Sequence, residues 1–189
     1  MATALRQRRE LRREFGIGMP GDNNHILNIA RTLQSHVEAP VLGGIAVNLH
    51  GAVRTTCDLD FYTPDRVMTA EQLAAAGAYW DVQKREHILE GVRIHTVTPR
   101  DAGHIVEKVS LIDGVRVVSL KDLVAIKLIC GLNNTGRSKD IGDVEALIRV
   151  IPLDKRFAGK LPTALRAPFK ILVDGVRANE RNQKDKPQF

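Results

Sequence analysis

Aromatic residues make up 4% of the 189-residue chain, with one Trp and two Tyr, too few for the stacking platform on which single-stranded nucleic acid is held. Cysteine is scarcer still. Cys57 and Cys130 are the two thiols, and two widely separated cysteines make neither a disulfide framework nor a four-cysteine zinc site. A reducing, cytoplasmic compartment is the expectation. No apolar run approaches the roughly 20 residues of a membrane span, and the Arg-rich stretch from Arg6 to Glu14 is followed by no apolar segment of signal-peptide length. Membrane insertion and secretion are not expected. Internal repeats and low-complexity tracts are also lacking.

What remains is a globular composition, 43% hydrophobic and 26% charged, enough for one domain or one domain with a small helical appendage. The net charge of +6 and the pI near 9.6 invite a nucleic-acid or phosphate-ligand reading. Position tempers that reading. Residues 1 to 14 carry Arg6, Arg8, Arg9, Arg12 and Arg13 against Glu10 and Glu14, and the other end carries Arg177, Arg181, Lys184 and Lys186 against Glu180 and Asp185. The body between them is close to neutral, so affinity for phosphate rests on a few placed residues. The N-terminal arm reads as a solvated segment, with contact to an acceptor RNA as the alternative.

Hydrophobic spacing divides the chain into a basic arm (1–20), a mixed α/β core (21–118), a helical region (119–180) and a polar tail (181–189). Ile26, Leu27, Ala30, Leu33 and Val37 recur on one helical face, which predicts a helix from Asp22 to Val37 with Asp22 or Asn23 as N-cap. Pro40 to Leu42 reads as a short buried strand, and after Gly43 and Gly44 a brief helix covers Ile45 to Leu49. Cys57 to Tyr62 alternates with the period of a half-buried strand. A helix is expected over Thr69 to Trp80, and two strands over His87 to Thr98, turning at Glu90 and Gly91. Lys108 to Ile112 and Val115 to Val118 predict a hairpin across Asp113 and Gly114. Beyond it, helices are expected from Ser119, a capping-box-like start with Asp122, to Cys130, over Ser138 to Val150, and over Thr163 to Asn179. Asn133 to Gly136 is expected to be a loop.

One constellation carries chemistry. Asp58 and Asp60 share one face of one strand and can share a metal; oxygen-only ligands suit Mg²⁺, or Mn²⁺ in its place. The Gly43 and Gly44 turn between strand and helix lets a backbone approach a phosphate, and a helix N-terminus favours an anion. Arg54 lies between these features, either as a phosphate partner or in a structural salt bridge with Asp58 or Asp60. Lys127 falls on an apolar helical stripe, where its charge needs a partner or a ligand unless the side chain snorkels to solvent. Asp140 reads as a first-turn acid with Ser138 as cap, or as part of the site. Asp143 reads as structural, and His50 as a core or rim histidine.

The stretch from Val41 to Tyr62 resembles the signature of the nucleotidyltransferase superfamily, with its DNA polymerase β-like fold. The closer likeness is to small bacterial nucleotidyltransferases, among them abortive-infection toxins of toxin–antitoxin systems and some antibiotic nucleotidyltransferases. These commonly read GG-x-A and then R-x-T-x-D-x-D, matched by Gly43, Gly44, Ala46, Arg54, Thr56, Asp58 and Asp60. A second similarity is Lys127 on its helix followed by Arg137, Lys139, Asp140 and Asp143, which resembles an R-x-K-D-x-x-D element. The resemblance implies a mixed sheet flanked by helices, with a C-terminal helical half. It also implies Asp58 and Asp60 on Mg²⁺, Gly43, Gly44 and Thr56 near a nucleoside triphosphate, and Lys127, Lys139 and Asp140 near nucleotide or acceptor. The acceptor would be a hydroxyl of RNA, protein or a small molecule, and a cognate toxin or antitoxin would be a partner. Active members usually carry a third carboxylate on a later strand. Here the matching position is His95, a base in place of a carboxylate, and Glu90, Asp101 and Asp113 are out of register with it. The alternative is a catalytically degenerate protein of the same fold that binds a nucleotide or a partner protein.

Overall fold

The computed structural model describes residues 23–184. The basic arm, the proposed Asp22 cap and residues 185–189 of the tail lie outside them. Inside the sheet lies a strand of only two residues, β1 (Val41–Leu42), which runs directly into α2 (Gly43–Leu49). Strand β1 pairs antiparallel with β2 (Asp58–Tyr62) and parallel with β7 (Val115–Val118). On the far side of β2 lies β5 (Val92–Val97), parallel to it, followed by the antiparallel strands β4 (Glu86–Leu89) and β3 (Tyr79–Asp81). Strand β6 (Val109–Ile112) closes the other edge as a hairpin with β7. The seven strands run in the order β3-β4-β5-β2-β1-β7-β6. The mixed sheet expected from the sequence is the one observed.

Two cores hold the helices to its faces. On one face, Ile26, Ile29, Ala30 and Leu33 of α1 (Asn23–Leu33) pack with Leu59, Phe61 and Ile94, joined by Leu73 of α3 (Arg66–Ala75). On the other, Leu42, Tyr62 and Val118 meet α5 (Leu120–Asn133), α6 (Ser138–Val150) and α7 (Thr163–Lys184) through Leu123, Leu128, Leu147 and Phe169. The helical half thus shares its core with the sheet. Alternation explains the division, since Leu59 and Phe61 face one core while Asp58 and Asp60 between them face the other side of the strand.

Local chemistry sets the boundaries. Asp65 caps α3 by accepting from the Met68 amide, so that helix starts earlier than expected and ends at Ala75; Ala78, Tyr79 and Trp80 do not continue it. Tyr79–Asp81 instead forms an edge strand, where Trp80 packs edge-on against His87 with ring centroids 4.7 Å apart. Ser119 caps α5 through the Asp122 amide, as its sequence indicates. Two expected caps are corrected. The Asn23 side chain donates to the Arg54 carbonyl at 2.6 Å and accepts from the Thr56 amide at 3.2 Å, so it ties α1 to the segment before β2. Ser138 is the first helical residue of α6, whose flanking Arg137 makes no side-chain cap, because a 3₁₀ turn over Thr135–Arg137 feeds the chain into the helix. Three further differences are extensions or additions: α5 runs on to Asn133, α7 to Lys184, and Pro99–Ala102 forms a short helix α4. Asp113 and Gly114 both take positive φ, 50° and 79°, as the type I′ turn requires.

Candidate functional site

The register of the sheet lays a polar row across its centre. Leu42 of β1 lies opposite Asp60 of β2, and Asp60 lies opposite His95 of β5. Where β1 ends and α2 begins, the chain passes over the Asp60 carboxylate. Gly43 has φ +69°, and a Cβ on it would fall 2.8 Å from the Asp60 Cγ; only glycine combines that conformation with that approach. A Cβ on Gly44 would lie 2.7 Å from the Arg54 Nη1 and from the Thr56 side chain. The paired glycines are therefore cut to the shape of Asp60, Arg54 and Thr56.

Above this floor stands the helical half. Lys127 of α5 is buried, with its Nζ 2.6 Å from Asp140 Oδ1 and 2.8 Å from Asp143 Oδ2. Arg137 Nε reaches the other Asp140 oxygen at 2.8 Å, and Arg54 Nε lies 3.2 Å from Asp143 Oδ1. Between floor and helices is a cleft of about 220 Å³ lined by Gly43, Gly44, Arg54, Asp58, Asp60, Asp101, Lys127, Arg137, Lys139 and Asp140, with Leu42, Val97, Ala102, Ile126 and Cys130 as its apolar wall.

No family model matches the chain, and no curated protein matches it. Among solved structures, a candidate nucleotidyltransferase from H. pylori aligns over 89% of this chain and 98% of its own, with a TM-score of 0.53 at 10% identity. An antigenic nucleotidyltransferase-like protein from Paracoccidioides brasiliensis aligns over 70% of this chain and 76% of its own, with a TM-score of 0.46 at 18% identity. The fold is nucleotidyltransferase-like.

Within that nucleotidyltransferase-like fold, most of the residues singled out in the sequence meet in the one cleft. Thr56 does not line it; buried beneath, it donates its hydroxyl to Asp58 Oδ1 at 2.7 Å and so orients that carboxylate. Lys139 is exposed at the cleft rim and has no ion-pair partner among the described residues. Arg54 makes neither of the salt bridges with Asp58 or Asp60 that its position suggested. Its backbone is gripped at both polar atoms by Asn48, at 2.7 and 2.8 Å, which aims the side chain across Gly44 to Asp143. The buried Lys127 finds two carboxylates and so does not snorkel. His50 is structural: its Nε2 lies 2.9 Å from the Val118 carbonyl, and burial lowers its pKa against that hydrogen bond.

His95 stands on the strand beside Asp60, as the sequence reading placed it, with partners that reading did not name. Its Nδ1 is 3.5 Å from Asp60 Oδ1 and its Nε2 is 3.0 Å from Glu86 Oε2. The hydrogen bond to Asp60, opposed by burial and supported by Glu86 and by the charges of Asp60 and Asp58, pushes its pKa up to about 9. His95 thus lies between two carboxylates as their ion-pair partner. Of the three loop carboxylates weighed as substitutes for the missing third one, Glu90 and Asp113 sit in hairpin turns with positive φ. Asp101 does line the cleft, but its Oδ2 is taken by Thr98 and by Arg66 at 2.5 Å. Sequence reasoning passed over Glu86, buried beside His95, and gave Asp143 no part in the site. The pairing of β4 with β5 that would have found Glu86 was legible; the burial was not.

Among the described residues, no group of three or more His, Cys, Asp or Glu side chains is arranged to hold a metal ion. Asp58 and Asp60 form a pair, with side chains 31% and 21% exposed, open enough to accept a ligand. No helix of the described residues is long and apolar enough to cross a membrane.

Proposed function

We propose that the cleft takes the triphosphate of a nucleoside triphosphate together with a divalent cation, and that the protein moves the nucleotidyl group to a hydroxyl acceptor. One observation carries the reading: Gly43, Gly44, Arg54, Asp58, Asp60 and Lys127, from both halves of the chain, line a single cleft. The fold supports it. Four basic residues (Arg54, Lys127, Arg137, Lys139) and four acidic ones (Asp58, Asp60, Asp101, Asp140) line that cleft, so a polyphosphate finds no net positive charge there. A cation is needed to balance it.

Asp58 and Asp60 fit Mg²⁺ or Mn²⁺ as hard oxygen donors on one strand face, since Mg²⁺ takes one or two protein carboxylates and completes its shell with water and substrate phosphate. When bound, the ion would offset charge on the reacting phosphate and on the departing pyrophosphate. The chain's own residues do the rest by position. Thr56 holds Asp58, the missing side chain of Gly43 makes room for Asp60, and Gly44 brings backbone and the Arg54 guanidinium together where phosphate oxygens would lie. Lys127, Arg137 and Lys139 supply charge at the opposite wall. Val97, Ala102, Ile126 and Cys130 offer an apolar surface to the nucleoside.

A second reading rests on His95. Its contact with Asp60 fills the place of a third carboxylate with a cation, which favours a protein that binds nucleotide, or a partner protein, without transfer. Two measurements separate the readings. Mg²⁺ with ATP, CTP, GTP or UTP should raise the melting temperature of the wild type and not of Asp58→Ala/Asp60→Ala; equal shifts in both remove the metal–triphosphate site. Incubation with each labelled triphosphate, Mg²⁺, total RNA and lysate should then put label in the RNA, protein or small-molecule fraction. Binding without label in any of them selects the second reading.

A further inference from the structure

Asp143 looked structural in the sequence, yet among the described residues it is the carboxylate that touches cations from both halves of the cleft. Its side chain is 7% exposed and makes an ion pair with each, Oδ1 lying 3.2 Å from the Arg54 Nε and Oδ2 2.8 Å from the Lys127 Nζ. A guanidinium is a rigid fork of five N–H donors. An ion pair at Nε therefore orients the other four. With Nε on Asp143, Nη1 comes to within 2.7 Å of the point where a Gly44 Cβ would stand, so the outer edge of the guanidinium faces the glycine turn. The backbone of Arg54 is fixed as well, its carbonyl accepting from Asn23 at 2.6 Å and from Asn48 at 2.8 Å. Main chain and Nε are thus placed, and among the described residues no hydrogen bond occupies the Nη donors.

We propose that Asp143 is a positioning residue for the triphosphate: it turns the outer edge of Arg54 toward the phosphates at Gly44. The inference rests on the nucleotide-binding reading above. Its sign sets it apart from plain electrostatics. Removing a negative charge beside a polyphosphate should tighten binding if Asp143 acts only through its field, or leave it unchanged if Asp143 serves stability alone. Removing a positioning group should weaken it.

The test is titration of the intact chain with Mg²⁺ and ATP, CTP, GTP and UTP in turn, for wild type, Asp143→Asn, Arg54→Gln and the double variant. Asp143→Asn is expected to weaken binding by about tenfold, the scale of one misplaced charge-assisted hydrogen bond. The double variant should bind no worse than Arg54→Gln alone, because the pair acts as one unit. Equal or tighter binding by Asp143→Asn, or losses that add in the double variant, overturns the inference while the nucleotide-binding reading stands. No binding by the wild type overturns both. Should Asp143→Asn fail to fold, a structure of the wild type with Mg²⁺ and the tightest-binding triphosphate decides: Arg54 Nε retained on Asp143 with an Nη on phosphate supports the assignment, and an Arg54 that has left Asp143 overturns it.

Discussion

A Cβ on Gly43 would stand 2.8 Å from the carboxylate carbon of Asp60. The turn after β1 and the acidic strand β2 are thus fitted to each other, and neither can change alone.

Gly43→Ala is expected to destabilise the fold by at least about 1–2 kcal/mol from the left-handed conformation alone, with the clash against Asp60 added. The melting temperature should drop by about 3 °C or more, and any Mg²⁺-dependent nucleotide shift should vanish with it. An alanine variant that keeps both its stability and the shift would show that the turn is not fitted to Asp60.

Replacing His95 by Asp exchanges a cation for an anion beside Asp60. Charge reversal at a few ångströms is worth more than about 1.4 kcal/mol, so affinity for Mg²⁺ or Mn²⁺ alone should rise at least about tenfold in calorimetric titration. The metal-free variant should be less stable, because Glu86 loses its partner in a buried place. Unchanged metal affinity would remove Asp60 from the ligand set.

Lys127→Met leaves Asp140 and Asp143 buried without their shared cation. Breaking such a buried pair costs about 3–5 kcal/mol, and urea denaturation should report a loss of that size. A loss below about 1 kcal/mol would place Lys127 among ordinary surface pairs.

Acid should act through Asp122. Burial pushes its carboxyl up, but hydrogen bonds from Ser119, His104 and the Lys108 amide, with the Lys121 charge nearby, outweigh burial and hold it below the usual range. A carboxylate depressed on folding stabilises fully above its unfolded pKa, about 3.9, and that contribution is lost as pH falls through its folded value. Stability of the wild type should therefore fall with a steeper acid slope than that of Asp122→Asn, measured by urea denaturation from pH 6 downward to about pH 3. Parallel slopes would contradict the assignment.

The sequence made the centre of the molecule legible and the periphery less so. Alternation of Leu59 and Phe61 with Asp58 and Asp60 fixes which face is core, and Ser119 and Asp122 announce their helix. The α/β half and the helical half follow from such local signals, and the mixed sheet from the resemblance carried by Gly43, Gly44, Asp58 and Asp60. Less legible was anything decided by partners distant in the chain. Tyr79–Asp81 reads on from an Ala-rich helix because only pairing with β4 makes it a strand. The partner of Lys127 was required by burial but named only by α6 packing against α5, and Arg54 found Asp143 because Asn23 and Asn48 turn it that way. Where two strands or helices bring charges together, spacing along the chain carries no distance.

The two-residue strand beside the middle of the sheet bears on how the chain acquires its shape during synthesis. Val41 of β1 is in register with Val117 of β7, and the cleft draws on residues from Leu42 to Asp140. Pairings so distant in sequence form slowly. Strand β1 must wait for β7 to leave the ribosome before its pairing is complete, and the cleft for the start of α6 after it. A nascent chain stalled before Ser138 would carry its acidic strand and Lys127 without Asp140 and Asp143, the carboxylates that pair with Lys127.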